Sequence, residues 1–153
     1  MRRVTLFFAS GGFTGYMPVA SGTFGTLVAI PLFWAFAGWR DLSVPLYLLT
    51  WIAAVALACW IADRAEALLD EHDSGIIVID EIVGYLGATL FMAPTWKNTL
   101  VAFFVFRALD VMKPYPAGHI DRHMPGGAGV VLDDVVSGLY SNVVTRVIVA
   151  LLF

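Results

Sequence analysis

Residues 42–62 read LSVPLYLLTWIAAVALACWIA, 21 positions without one charged side chain. At 1.5 Å per residue a helix of that length reaches roughly 31 Å, enough to cross a hydrocarbon core about 30 Å thick. The stretch predicts a membrane span, and the rest of the chain agrees. Of 153 residues, 59% are hydrophobic and 14% charged, and the mean hydropathy is +0.82, whereas a soluble domain averages about 45–50% apolar and about 25% charged. Twenty-one acidic and basic side chains cannot cover a water-facing surface of this size.

On the N-terminal side, no charge interrupts Val4 to Trp39, but glycines and hydroxyl residues crowd positions 10–23, so a helix is expected over Phe24–Trp39. On the C-terminal side, Asp63 to Ser74 reads as an exposed helix ending in a turn. A third apolar segment, Ile76 to Ala93, is long enough to span only if Asp80 and Glu81 lie at membrane level. A fourth helix is expected over Asn98–Met112, then a polar loop over Lys113–Asp133 rich in proline and glycine, then a last helix over Asp134–Phe153 that is apolar except for Arg146. The predicted fold is an all-α, polytopic membrane bundle of four to five spans, forming one domain over 1–153, with no internal repeat.

Alternating the spans puts residues 1–23, 63–81 and 113–133 on one side. Arg2, Arg3, Arg64, Lys113 and Arg122 fall there, with Arg107 at its boundary, against Arg40 and Lys97 opposite. Basic residues favour the cytoplasmic side of a membrane, so a multi-pass membrane protein with its N-terminus inside is expected. Most of the carboxylates land on that side too, Asp41 being the clear exception. Val4–Ala9 is shorter than the apolar core of a cleaved signal. A net charge of −3 leaves no basic stripe for nucleic acid. The single cysteine, Cys59, excludes an internal disulfide and a cysteine-based zinc site.

Asp80-Glu81 is the sharpest chemical feature, because ionisable groups in apolar segments cost about 2.5–3.5 kcal/mol each on insertion scales and mark functional sites. Adjacent carboxylates repel unless a cation lies between them or one is protonated, and Mg²⁺ held by carboxylates and a phosphate oxygen resolves that cost. An interfacial helix start, with acids at the positive end of the dipole, is the plainer alternative. Asp133-Asp134 repeats the pattern after Gly126-Gly127-Ala128-Gly129; it reads either as a helix cap or as further metal ligands. Arg107, Asp110 and Lys113 recur every three residues, which places cations beside acids, suiting a phosphate ester or simply a salt-bridged helix end. Ser21-Gly22-Thr23 offers hydroxyl and N–H groups to phosphate, or a helix cap. His72, Asp73, His119, His123 and Asp121 are weaker candidates. No Cys-x5-Arg or Asp-x-Asp nucleophile motif is present. Pro116-Ala117-Gly118-His119 matches one element of the membrane acid phosphatases, but their other blocks are missing. From a different class, a small divalent-cation carrier or channel would also use intramembrane acids, although its acids belong near the midplane rather than at one end.

Taken in order, Ala20-Ser21-Gly22-Thr23-Phe24-Gly25-Thr26, His72-Asp73, Ile79-Asp80-Glu81-Ile82-Val83-Gly84, Phe106-Arg107-Ala108-Leu109-Asp110, Lys113-Pro114-Tyr115-Pro116, Asp121, Gly126–Gly129 and Leu132-Asp133-Asp134 resemble the bacterial phosphatidylglycerophosphatase A family over nearly the whole chain. Ala108-Leu109 and Tyr115 stand where that family often has aromatic residues, which bears on substrate shape. The resemblance implies a Mg²⁺-dependent inner-membrane phosphatase of phospholipid biosynthesis that converts phosphatidylglycerophosphate to phosphatidylglycerol. It implies Asp80, Glu81, Asp133 and Asp134 as acidic site and metal residues, with Asp110 beside them. Lys113, Arg107, Thr23 and Ser21 are expected at the phosphate, and Asp73, His72 and Asp121 in support.

Overall fold

The computed structural model describes residues 2–153; Met1, the first position of the expected domain, lies outside them. Among the described residues all regular structure is helical. Helix α1 (Arg2–Ala9) leads through a 3-10 turn at Thr14–Tyr16 to α2 (Ser21–Leu42), α3 (Val44–Leu69), α4 (Ile79–Ala88), α5 (Trp96–Met112), α6 (Ala117–His123) and α7 (Gly126–Leu152). Three of these, α2, α3 and α7, are long and apolar enough to cross a membrane.

Only Ser43 separates α2 from α3. Its backbone is extended, its Oγ accepts from Leu46 N–H, and Pro45 occupies the first turn, where a helix has no use for the missing N–H. The charge-free run predicted a helix ending at Ala62, yet α3 continues to Leu69 and absorbs the start of the separate helix expected over 63–74. Ala58, Ile61, Ala62 and Ala65 explain the continuation: they form one buried stripe at i, i+3, i+4 and i+7.

Two further expectations are corrected. The stretch 113–133 is not simply a loop, because it holds α6 and the first two turns of α7, which begins at Gly126 rather than at Asp134. Gly127 is there for close packing: a Cβ would collide with the Cys59 carbonyl and the Asp63 backbone on α3. The third apolar segment, expected as a span from Ile76 to Ala93, forms a helix of ten residues, about 15 Å or half the hydrocarbon thickness.

A helix that stops inside a bilayer strands its last carbonyls, and α7 supplies their donors. Asn142 Nδ2 donates to the carbonyls of Ala88 (3.0 Å) and Leu90 (2.9 Å), and Arg146 Nη2 donates to Leu90 at 2.8 Å. Arg146 Nε also donates to Asn142 Oδ1 at 2.9 Å. Arg146, the one basic residue of α7, is thus part of the cap on α4.

Helix α4 is the axis of the bundle. On one side Val83 packs with Ala58, Ile61 and Val131 of α3 and α7; on the other Tyr85 packs with Ala29, Phe33 and Phe106 of α2 and α5. The Tyr85 hydroxyl donates to the Thr99 carbonyl at 2.9 Å. Against α7, Gly138 sits so close to Gly84 that a Cβ would overlap the Gly84 carbonyl. Such contact between small residues replaces the hydrophobic drive that lipid cannot provide.

Candidate active site

The first turn of α4 carries Asp80 and Glu81, and the start of this helix meets α7 at Asp134. One oxygen from each of the three carboxylates lies within 4.8 Å of the others. Asp80 Oδ1, Glu81 Oε2 and Asp134 Oδ2 are buried and accept no hydrogen bond. Three carboxylates so close, with lone pairs facing no donor, are the arrangement a hard cation satisfies. Ser137 Oγ, one turn beyond Asp134 on the same face of α7, is also buried and unpaired.

Cations stand beside this group. Arg107 on α5 is 3.7 Å from Glu81 Oε1 and 2.5 Å from Asp110 Oδ2, its i+3 neighbour. Just past the end of α5, Lys113 Nζ reaches Asp121 Oδ1 of α6 at 2.5 Å and Asp133 Oδ2 of α7 at 2.7 Å. Burial alone would lower the Lys113 pKa, but the hydrogen bonds to Asp121 and Asp133 outweigh it and raise the pKa above that of an ordinary lysine. Lys113 therefore stays cationic. Asp133, expected among the metal ligands, turns Oδ2 to this lysine and keeps Oδ1 buried and unpaired; it lies outside the group of three. Consecutive helical residues point about 100° apart, so the two acids of the pair serve different neighbours.

The start of α2 closes the site. Gly22 is buried, and a Cβ on it would overlap Glu81 Oε1 and lie 3.0 Å from Arg107 Nη2. Ser21 and Thr23 flank it, both half-buried. The residue before α2, Ala20, provides no side-chain cap, but its carbonyl accepts from the N–H groups of Thr23 (2.9 Å) and Phe24 (3.3 Å), which leaves the N–H groups of Ser21 and Gly22 at a helix end of the kind that binds anions. Of the expected residues, Asp80, Glu81, Asp134, Arg107 and Asp110 come together with the start of α2, and Lys113, Asp121 and Asp133 form an adjoining group. His72 and Asp73 are exposed and engaged elsewhere: Glu66 Oε1 meets His72 Nδ1 at 2.5 Å and accepts from Asp73 N–H at 2.8 Å, which ties the loop after α3 back to that helix. His119 and His123 stack on each other on the exposed side of α6.

Gly22, Asn142 and Ser137 were not singled out as functional from the sequence. Gly22 lay inside a recognised triplet and Arg146 was visible as an isolated charge, but neither pattern names a partner across the bundle.

Fold and site together define a helical membrane protein with a charged site at one end of its long helices. The family model for phosphatidylglycerophosphatase A matches residues 7–149, and the chain belongs to that family; it is a phosphatase. It is 36% identical over 138 residues to phosphatidylglycerophosphatase A of Escherichia coli strain K12, covering 87% of this chain and 76% of that protein. The Haemophilus influenzae phosphatidylglycerophosphatase A is 31% identical over 89% of this chain and 83% of its own length. A Bacteroides thetaiotaomicron protein named provisionally as a phosphatidylinositol-3-phosphatase is 30% identical over 88% of this chain and 86% of its own. No solved structure matches the chain.

Proposed function

We propose that this protein hydrolyses the terminal phosphate monoester of phosphatidylglycerophosphate to phosphatidylglycerol, using Mg²⁺ held by Asp80, Glu81 and Asp134. The site would lie at the cytoplasmic face of a bacterial inner membrane, with the N-terminus on the same side. The observation that carries the reading is the set of three buried carboxylates with unpaired oxygens beside Arg107 and Lys113. The family supports the substrate.

When bound, the ion supplies Lewis-acid polarisation of the ester. The chain's own groups do the rest. Arg107 and Lys113 bind nonbridging phosphate oxygens through charge-assisted hydrogen bonds. Asp110 holds the Arg107 fork in place, while Asp121 and Asp133 hold Lys113. The Ser21 and Gly22 N–H groups at the start of α2, with the Ser21 and Thr23 hydroxyls, donate from beside Arg107. Because the site sits at one end of the long helices, the phosphate can reach it while the acyl chains stay in the bilayer.

Phosphate release by the purified protein in mixed micelles tests this. Turnover of phosphatidylglycerophosphate is expected with Mg²⁺ and not with a chelator, and it should exceed turnover of phosphatidylinositol 3-phosphate. Asp80→Asn and Asp134→Asn should each lower kcat by roughly 10²- to 10³-fold, the cost of removing one preorganised charge-stabilising group. Undiminished turnover in both variants rejects the carboxylate assignment. Absence of hydrolysis together with Mg²⁺ uptake into vesicles would favour the carrier reading.

A further inference from the structure

A groove of about 660 Å³ separates α1 from the C-terminal half of α3 and shares no residue with the acidic site. Phe8, Leu57, Trp60 and Leu68 form its walls, and Arg2 and Arg64 stand among them. From Leu57 to Leu68 the α3 wall runs about 16 Å along the helix, a length suited to a stretch of acyl chain. The Arg64 guanidinium lies 5.5 Å from the centre of the Trp60 ring, and no carboxylate among the described residues ion-pairs with Arg64 or Arg2. Helix α1 also presents Val4, Phe7 and Phe8 outward beside its arginines, the character of a helix lying in a membrane interface. The Ala9 carbonyl accepts from Val78 N–H at 2.8 Å, which fixes α1 at the end of the bundle where α4 starts with Asp80 and Glu81.

We propose that this groove binds an anionic phospholipid at a place separate from the catalytic site, its acyl chain against Phe8, Leu57, Trp60 and Leu68 and its headgroup phosphate between Arg2 and Arg64. The charge pattern selects this occupant. Two arginines without acidic partners, set in the lining of an otherwise apolar channel, complement a molecule with a negative head and an apolar tail. A zwitterionic lipid would leave the arginines without net attraction, and each basic residue near a membrane surface favours an anionic lipid by roughly fivefold.

Trp60 reports on the site directly. The full-length protein is reconstituted in phosphatidylcholine nanodiscs containing a graded fraction of either phosphatidylserine or phosphatidylcholine brominated along one acyl chain, since bromine quenches an indole in contact. The difference between wild type and Trp60→Phe isolates the Trp60 signal. Half-maximal quenching is expected at a roughly five- to 25-fold lower fraction of brominated phosphatidylserine than of brominated phosphatidylcholine. The preference should vanish in Arg2→Gln/Arg64→Gln and narrow as salt is raised, a wild-type measurement that holds if the double variant fails to fold. Equal quenching by the two lipids, a preference untouched by both the double substitution and salt, or a Trp60 shielded from both lipids by a second copy of the chain would each overturn the proposal.

Discussion

Gly22→Ala separates the geometry of the site from the stability of the fold. A methyl group at position 22 would overlap Glu81 Oε1, lie 3.0 Å from Glu81 Cδ and lie 3.0 Å from Arg107 Nη2. All three atoms belong to the far ends of long side chains, so the fold relaxes by swinging them aside rather than by moving a helix. Alanine is also a better helix former than glycine, by up to about 1 kcal/mol. The thermal midpoint should therefore be unchanged or slightly raised. Activity should respond in the opposite direction, because the displaced groups are a member of the carboxylate trio and the arginine beside it. A misplacement of about 1 Å costs on the order of 10²-fold in rate, and that drop in kcat is expected in the phosphate-release assay. Midpoints measured on the same preparations show whether the loss is local. Activity within threefold of wild type would refute the reasoning that Gly22 exists to admit Glu81 and Arg107.

Gly138→Ala should behave differently, since its added carbon strikes the backbone of Gly84. Helices α4 and α7 must then separate, and both the midpoint and activity should fall; a normal midpoint would contradict the packing described. Replacing Asn142 and Arg146 together by leucine strips the donors from the Ala88 and Leu90 carbonyls. At about 1–3 kcal/mol for each stranded group and about 2–4 °C per kcal/mol for a chain of this size, a fall of several degrees in the midpoint should be seen in lipid nanodiscs. Lys113→Met leaves buried Asp133 without its cation and should destabilise the protein by about 3 kcal/mol, the low end for breaking a buried pair. Because the folded pKa of Lys113 is raised, its contribution is complete below the free-lysine value of about 10.4 and is lost only as pH rises through the higher folded value. In the alkaline range the stability gap between wild type and Lys113→Met should stay level up to about pH 10 and narrow above it.

The helices that cross the bilayer were legible because a charge-free run of sufficient length has few other uses, as 42–62 shows. The residues of the site were legible for the converse reason: Asp80, Glu81 and Arg107 are conspicuous among apolar neighbours. What stayed hidden depends on partners distant in the chain. Hydropathy continues without a break from Ile82 through Met92, so nothing local marks the end of α4 at Ala88; its cap comes from Asn142 and Arg146 more than fifty residues later. The divergent roles of Asp133 and Asp134 follow from the pitch of a helix, but only once α7 is known to begin at Gly126. Helix α6 was obscured by the prolines and glycines around it.

The half-length of α4 also bears on how the protein is made. Ten residues give a translocating channel too little apolar length to release into lipid on their own, and the carbonyls at the end of α4 find their donors only on α7. During synthesis α4 is therefore expected to wait, sheltered beside α2 and α3, until α7 has been translated. Asp134 arrives on that same helix, so one late event both seals the broken end of α4 and completes the group of three carboxylates. A partly synthesised chain cannot expose a finished active site to its own membrane.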